Sequence, residues 1–327
     1  MNSDRSPVRI GALVPLSAPG WVEAGRHLLA GLELAVREVD GPFTLLVRDT
    51  AADPLRAAAA VDELAGLGVS ALVGEYHSVV ARAVAARADA VGLPFVCSSA
   101  VLDALTDQPS DRVARIAPTQ SHSWRIYADF LRQAGHTRIA VVAQPSVYWA
   151  TGTHILRDHL DSVTEVSLGS LCDDLVACRA TALMVLVGLP EPALSVVRAV
   201  RQDPRLAHIL IGAPAGQPEF LGAAGAGIPF LRYLPTRLGP LGARVEAALR
   251  VRLRAEPSFV AFEGYDTILA LAAVLSGTPW SAVDIPGTRG RITFSRPPGS
   301  KVWQWTWPPV HVVDRDPADP SRLRILG

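Results

Sequence analysis

Lysine is almost missing from this chain: of 31 basic residues only Lys301 is a lysine, so lysine chemistry is excluded nearly everywhere. Net charge is missing too. The 31 basic residues balance 31 acidic ones, which leaves no global field to attract nucleic acid. Cysteine is scarce, and Cys97, Cys172 and Cys178 make neither a CxxC pair nor an even disulfide framework. They read as buried or half-buried free thiols. No run reaches the roughly 18 uncharged apolar residues of a membrane span, so no insertion into a membrane is expected. The segment Met1 to Arg9 carries Asp4 and Arg5, and the apolar stretch from Ile10 is cut by Pro15 and Ser17, so it lacks the continuous apolar region of a signal peptide. The expectation is a cytoplasmic protein as the chain stands, and an extracellular or periplasmic one if a leader has been trimmed.

Catalytic signatures are absent as well: there is no GxSxG, no HExxH and no CxxC. The only lysine lies in Pro298-Gly299-Ser300-Lys301-Val302, without the glycine spacing or the following hydroxyl of a phosphate loop. Gly222, Gly225 and Gly227 have the wrong order for a dinucleotide fingerprint and read as a helix end and turn. His154 and His159 are five apart, so they do not share a helix face as a metal pair would. No cofactor, metal site or catalytic residue is expected.

What remains is an ordinary globular composition, with 49% hydrophobic and 19% charged residues in 327. A chain of this size can bury about three quarters of its unfolded surface. Short β-branched runs alternate with amphipathic stretches: Val8 to Leu16, Phe43 to Arg48, Ser70 to Gly74 and Pro94 to Ser98 read as strands, and Val22 to Val39, the segment after Asp53-Pro54, and Val79 to Ala90 as helices. After a break at Arg112 to Thr119 the rhythm restarts, with helices Ser121 to Ala134, Trp149 to His159 and Ala193 to Arg201 among strands Arg138 to Ala143, Ala182 to Leu189, His208 to Gly212 and Pro229 to Leu234. Helical stretches Leu241 to Ala255 and Ser258 to Leu275 follow, then a Trp-rich β segment, Arg291 to Trp307, and a charged tail after Val313 that reads as extended over the surface. Two successive sets predict an α/β fold of two lobes, each a doubly wound parallel sheet. Residues 1–118 with 238–288 form the expected N-terminal lobe, and 119–237 with 289–327 the C-terminal lobe.

In open α/β sheets ligands bind beyond the carboxyl ends of the strands. Those positions hold a coherent set: Ser17 to Trp21, Tyr76-His77-Ser78, Ser98-Ser99-Ala100 and Ser146-Val147-Tyr148-Trp149. Ser78 and Ser99 stand at or near helix N-termini, where free N–H groups suit a carbonyl or carboxylate oxygen. His77 reads as a wall of the cleft. Glu75 and His77 are the one candidate acid/base pair, on which the alternative of a hydrolase acting on a small amide rests, but neighbours two apart at a strand end diverge.

The run Asp49-Thr50-Ala51-Ala52-Asp53-Pro54-Leu55-Arg56-Ala57-Ala58, then Val73-Gly74-Glu75-Tyr76-His77-Ser78, then Gly92-Leu93-Pro94-Phe95-Val96 resembles the branched-chain amino-acid-binding family of type I periplasmic binding proteins. The likeness extends in weaker form over most of the chain. The Gly-x-Tyr-x-Ser element, the missing leader and the ending Val302-Trp303-Gln304-Trp305 with Pro308 and Pro309 look closer to the family's receptors for urea and short amides, one of which is a cytoplasmic sensor with a regulatory partner. The resemblance implies a two-lobed receptor that closes on an amino acid, amide or urea-like solute without catalysis, serving an ABC importer's permease or a regulatory protein. It places the ligand hydroxyl on Ser78, the neighbouring aromatic on Tyr76, a second strand-end contact on Ser99 with Ser98 beside it, the second-lobe aromatic on Tyr148 and, loosely, a first-loop contact on Trp21. Two positions depart from the pattern. Leu189 stands where amino-acid receptors can carry a tyrosine, and Gly212-Ala213-Pro214 where they carry an acid. A buried ammonium needs a counter-charge, so free leucine, isoleucine and valine are not the expected ligands.

Overall fold

The β-branched runs fold as strands of parallel sheets, and the amphipathic stretches between them as the helices that cover those sheets. The computed structural model describes residues 7–19 and 21–327, so most of the Met1 to Arg9 segment and Gly20 of the Ser17 to Trp21 loop lie outside the described residues. In chain order the elements are β1 (Val8–Val14), α1 (Val22–Glu38), β2 (Phe43–Asp49), α2 (Pro54–Gly66), β3 (Ala71–Gly74), α3 (Ser78–Ala90), β4 (Phe95–Cys97), β5 (Val113–Arg115), α4 (Gln120–Gln133), β6 (Ile139–Ala143), α5 (Val147–His159), β7 (Val163–Glu165), α6 (Leu171–Ala177), β8 (Ala182–Leu186), α7 (Ala193–Gln202), β9 (Leu210–Gly212), β10 (Phe230–Arg232), α8 (Pro240–Leu253), α9 (Phe259–Leu275), β11 (Asp284–Gly287), β12 (Gly290–Ser295), β13 (Trp303–Trp305), β14 (His311–Arg315) and β15 (Leu323–Ile325).

The chain divides into two units, Met1–Thr119 with Leu234–Pro309, and Gln120–Tyr233 with Val310–Gly327. The first unit holds one sheet, ordered β11-β12-β13-β5-β4-β3-β1-β2. From β2 to β13 neighbouring strands run parallel, and β12 and β11 close that edge as an antiparallel hairpin. β1 sits between β2 and β3, so the winding reverses there and a crevice opens at the carboxyl ends of β1 and β3. α2 and α3 cover one face, packing Val61, Leu64, Val84 and Ala85 on Leu72 and Phe95. α9 is buried on nearly every side, as an internal apolar helix must be. It approaches α1 to backbone contact, because a Cβ on Gly31 would overlap the Ala261 carbonyl and one on Gly264 the Leu28 carbonyl.

Local chemistry starts the helices where the sequence suggests. Asp53 accepts from the Leu55 and Arg56 N–H groups, with Pro54 in the first helical turn; Ser146 caps α5 through Trp149, and Ser258 caps α9 through Val260.

The second unit holds a parallel sheet ordered β7-β6-β8-β9 and an antiparallel one ordered β10-β14-β15. Here the winding reverses between β6 and β8. Leu183, Val185, Val197 and Val200 form part of its core, and the Tyr127 hydroxyl of α4 donates to the Pro229 carbonyl at 2.9 Å.

The division differs from the sequence expectation at the C-terminus. Residues 289–327 were expected in the second lobe, yet β12 and β13 extend the first unit's sheet and only β14 and β15 join the second. The physical reason is Gln304, buried in β13: its Oε1 accepts from Arg115 Nε at 2.7 Å and its Nε2 donates to the Ala117 carbonyl at 2.7 Å, which fastens β13 beside β5. The tail after Val313 does not simply lie extended over the surface either, since β14 pairs with β10 and β15 with β14. That pairing also takes the Pro229 to Leu234 strand out of the parallel set.

Candidate functional site

In the first unit, the loops after β1, β2 and β3 are tied together by two carboxylates. Asp49, last residue of β2, accepts from the Leu16 N–H at 2.7 Å, the Ser17 hydroxyl at 2.5 Å and the Ala51 N–H at 2.9 Å. Glu75, fully buried just after β3, accepts from the Thr50 hydroxyl at 2.6 Å and from the Tyr76 and His77 N–H groups at 2.8 and 3.0 Å. Burial raises its carboxyl to about 7 even though these hydrogen bonds favour the charged form. His77 turns its ring the other way: Nε2 accepts from the Trp21 N–H at 3.0 Å, and burial lowers the imidazole to about 4. The ring is therefore neutral at pH 7 with its proton on Nδ1, and it joins the first loop to the third. The Tyr76 ring meets it edge to face at 5.4 Å.

Ser78 begins α3, and its hydroxyl oxygen accepts from the Leu102 N–H at 3.3 Å, which leaves its proton to donate elsewhere. Ser99 donates its N–H to the Glu75 carbonyl at 3.2 Å; its hydroxyl is buried, with the residue 6% exposed, and has no partner. Ser98 points into the core, fully buried, and shares a 3.0 Å hydrogen bond with Thr267 of α9. The predicted residues Trp21, Tyr76, His77, Ser78 and Ser99 thus meet at the carboxyl edge around β1, β3 and β4, while Ser98 serves the packing beneath.

In the second unit Tyr148 follows β6, the strand at which the winding reverses. It is half-buried, its ring 4.7 Å from Trp149 and 5.9 Å, edge on, from Trp124, and burial raises its phenol so that it stays neutral. Trp124 lies so close over α5 that a Cβ on Gly152 would overlap its ring. Gln120, at the start of α4, donates from Nε2 to the Tyr148 carbonyl at 3.0 Å. Gln120 and Trp124 were not among the residues expected from the sequence: a polar residue opening a helix ordinarily faces solvent, and a mid-helix tryptophan reads as core.

Three acids of the second unit are held in ion pairs. Glu219 pairs with Arg232 at 2.8 Å, Glu191 with Arg198 at 2.8 Å and Asp173 with Arg205 at 2.9 Å. Nor do Glu75 and His77 form an acid/base pair, since the carboxylate holds His77 by its backbone and the ring faces Trp21. The arrangement offers hydroxyl donors and neutral aromatic surfaces.

These two buried groups give stability a characteristic pH dependence. Glu75 is raised from 4.5 to about 7, so its contribution is complete below pH 4.5 and is lost as pH rises through 7. His77 is lowered from 6.5 to about 4, so its contribution is present above pH 6.5 and is lost as pH falls through 4. They oppose each other between 4.5 and 6.5, and above 6.5 Glu75 acts alone. Urea unfolding is expected to show the native protein losing stability from about pH 6.5 to about pH 8, with Glu75→Gln flat over that range. An equal slope in both proteins refutes the assignment to Glu75.

A two-unit, doubly wound α/β chain with polar and aromatic groups at its strand ends is the arrangement expected of a solute-binding protein. Comparison with known proteins makes this specific: residues 7–284 match the model of the periplasmic binding protein family, and the chain belongs to that family, as a binding protein and not an enzyme. A Leu/Ile/Val-binding protein homolog from Brucella melitensis is 27% identical over 177 residues, 49% of this chain and 43% of that protein, so the chain matches less than half the length of this relative. Among solved structures, the branched-chain amino acid transporter substrate binding protein LivJ from Streptococcus pneumoniae, in complex with isoleucine, has a TM-score of 0.82 at 18% identity, over 98% of this chain and 99% of that one. A solute binding protein of R. palustris in complex with benzoate has a TM-score of 0.81 at 16% identity, over 98% and 96%. At these identities the structures share the fold. Among the described residues no helix is long and apolar enough to cross a membrane.

Proposed function

We propose that this protein is a receptor for a small, uncharged or acidic solute bearing a carbonyl or carboxyl oxygen, held at the carboxyl edge of the first unit's parallel sheet and released unchanged. One observation carries the reading: the Ser99 hydroxyl is buried without a partner beside the start of α3, where Ser78 has a proton to donate and backbone N–H groups are free of helical partners. An unpaired buried hydroxyl costs about 1 to 3 kcal/mol unless something bound there supplies its partner. The isoleucine and benzoate of the two relatives both present a carboxyl oxygen. The engagement of Glu191, Asp173 and Glu219 favours a solute without an ammonium group. The partner downstream is an importer permease or a regulatory protein.

Ser99→Ala is expected to act with opposite signs on stability and on binding. Removing the unpaired hydroxyl raises the melting temperature of the free protein, while solute affinity falls by about 1 to 3 kcal/mol. A thermal-shift panel of leucine, isoleucine, valine, benzoate, short amides and urea tests the class, since a ligand at about 100 times its dissociation constant stabilises by about 2.7 kcal/mol. Leucine is expected to give no shift at millimolar concentration. A micromolar leucine site overturns the solute class, and a Ser99→Ala variant with native affinity overturns the placement.

A further inference from the structure

We infer that the first unit takes up an acidic solute together with one proton, which binds to the buried Glu75 carboxylate behind the site loop. The inference rests on the receptor reading above and deepens it, and every group it uses lies in the first unit. Glu75 joins three strand ends through its own atoms. Its Oε1 accepts from the Tyr76 and His77 N–H groups at 2.8 and 3.0 Å, its Oε2 from the Thr50 hydroxyl at 2.6 Å, and its main-chain carbonyl from the Ser99 N–H at 3.2 Å. A charge on that carboxyl is therefore one hydrogen bond away from the loop that leads into Ser78 and from the strand end that carries Ser99.

The surroundings leave that charge uncompensated. The three donors on the carboxyl are neutral, and the residue is fully buried. Asp49, ending β2, acts on it with the same sign. His77, with its ring turned to Trp21, is lowered to about 4, and the Cys97 thiol of β4 is raised to about 12 by burial, so both are neutral at pH 7. Beyond Cys97, Arg115 of β5 donates to Gln304 and to the Leu102 carbonyl, and Glu263 of α9 is paired with Arg289. A solute carboxyl is ionised above a pH of about 5. Seated at Ser78 and Ser99, it adds a second negative charge where water is excluded, and two carboxylates that share such a site do not both stay ionised. Glu75, already held at about 7 by burial, is the one that takes a proton from solvent. Thr50 makes the exchange possible without moving the loop. Its hydroxyl donates to the ionised carboxyl and accepts from the protonated one, while Oε1 keeps both N–H groups.

The test is calorimetry on the full chain with benzoate, propionate and isovalerate, each beside its own amide, from pH 6 to pH 8 and in two buffers of unlike ionisation enthalpy. The carboxylate that binds best is expected to bind about tenfold more weakly at pH 8 than at pH 6 and to take up close to one proton at the upper end, while its amide changes by less than about twofold. Glu75→Gln is expected to lose both the pH dependence and the proton uptake. Thr50→Val removes a hydrogen bond that favours the ionised carboxyl, so it is expected to move the fall in affinity to higher pH, and it carries the test if Glu75→Gln does not fold. A purely structural role for Glu75 weakens binding equally at every pH and gives no uptake in the native protein, which overturns the inference. Uptake that persists in Glu75→Gln places the proton on the solute and overturns it as well, as does a fall that stays in place in Thr50→Val, or a native protein that binds the amides and none of the carboxylates. Failure of the receptor reading is a different result: no solute of either class binds the native protein at any pH.

Discussion

Arg289→Met is expected to lower the free energy of unfolding by about 3 to 5 kcal/mol, the usual cost of stripping the partner from a buried charge. Arg289 has a fully buried side chain in the turn between β11 and β12, where Nε donates to Asp266 at 2.9 Å and Nη1 to Glu263 at 3.2 Å, both on α9. Its guanidinium also lies 4.7 Å from the centre of the Trp305 ring. Asp266 further accepts from the Thr288 N–H at 2.6 Å and the Thr288 hydroxyl at 2.8 Å. Burial already pushes the Asp266 carboxyl upward, against the pull of Arg289. Without the cation that carboxyl rises further, so the deficit of the variant is expected to be larger at pH 8 than at pH 5, and Arg289→Lys to recover only part of it because a lysine has no planar fork or stacking face. Urea denaturation at the two pH values measures both effects. A loss below about 1 kcal/mol means that the network contributes specificity without stability.

Gly74→Ala is expected to be comparably damaging and to remove solute binding together with stability. Gly74 closes β3 with φ +120°, a backbone conformation that side-chain-bearing residues rarely adopt, and a Cβ there would overlap the Leu13 carbonyl oxygen of β1. Conformational strain of about 1 to 3 kcal/mol adds to overpacking of about 1 to 3 kcal/mol. The chain can relieve both only by moving β3 away from β1, and the residues that move are those that set the site: Glu75, Tyr76, His77 and Ser78. Thermal melting and calorimetry on one preparation check this. A variant with native melting temperature and native affinity is incompatible with the close approach of β1 and β3.

How much of this could be read before folding is seen in particular residues. The loop Tyr76-His77-Ser78 was found by a simple rule, that a parallel strand ends in its ligand loop, and the structure puts that loop at the point where the winding reverses. The adjacent serines show where the rule stops. Ser98 and Ser99 are equivalent in sequence, yet one hydroxyl meets Thr267, 169 positions away, and the other has no partner. Alternation says that neighbours face opposite ways; it does not say which one faces the core. β13 escaped for a related reason. Nothing local to Trp303-Gln304-Trp305 announces that its partner is Val113–Arg115, a three-residue strand inside a stretch that reads as a break.

Local periodicity therefore determined the class of fold and the strand-end positions of the candidate residues, because each of these depends on residues close together in the chain. Tertiary structure decided which unit each C-terminal strand joins, which serine hydroxyl is left without a partner, that Glu75 bonds Thr50 and not the His77 ring, and that Gln120 keeps a bare acceptor. Those outcomes depend on which polar groups, distant in sequence, meet inside the protein, where an unmet hydrogen bond is costly and each donor can satisfy only one of several competing acceptors.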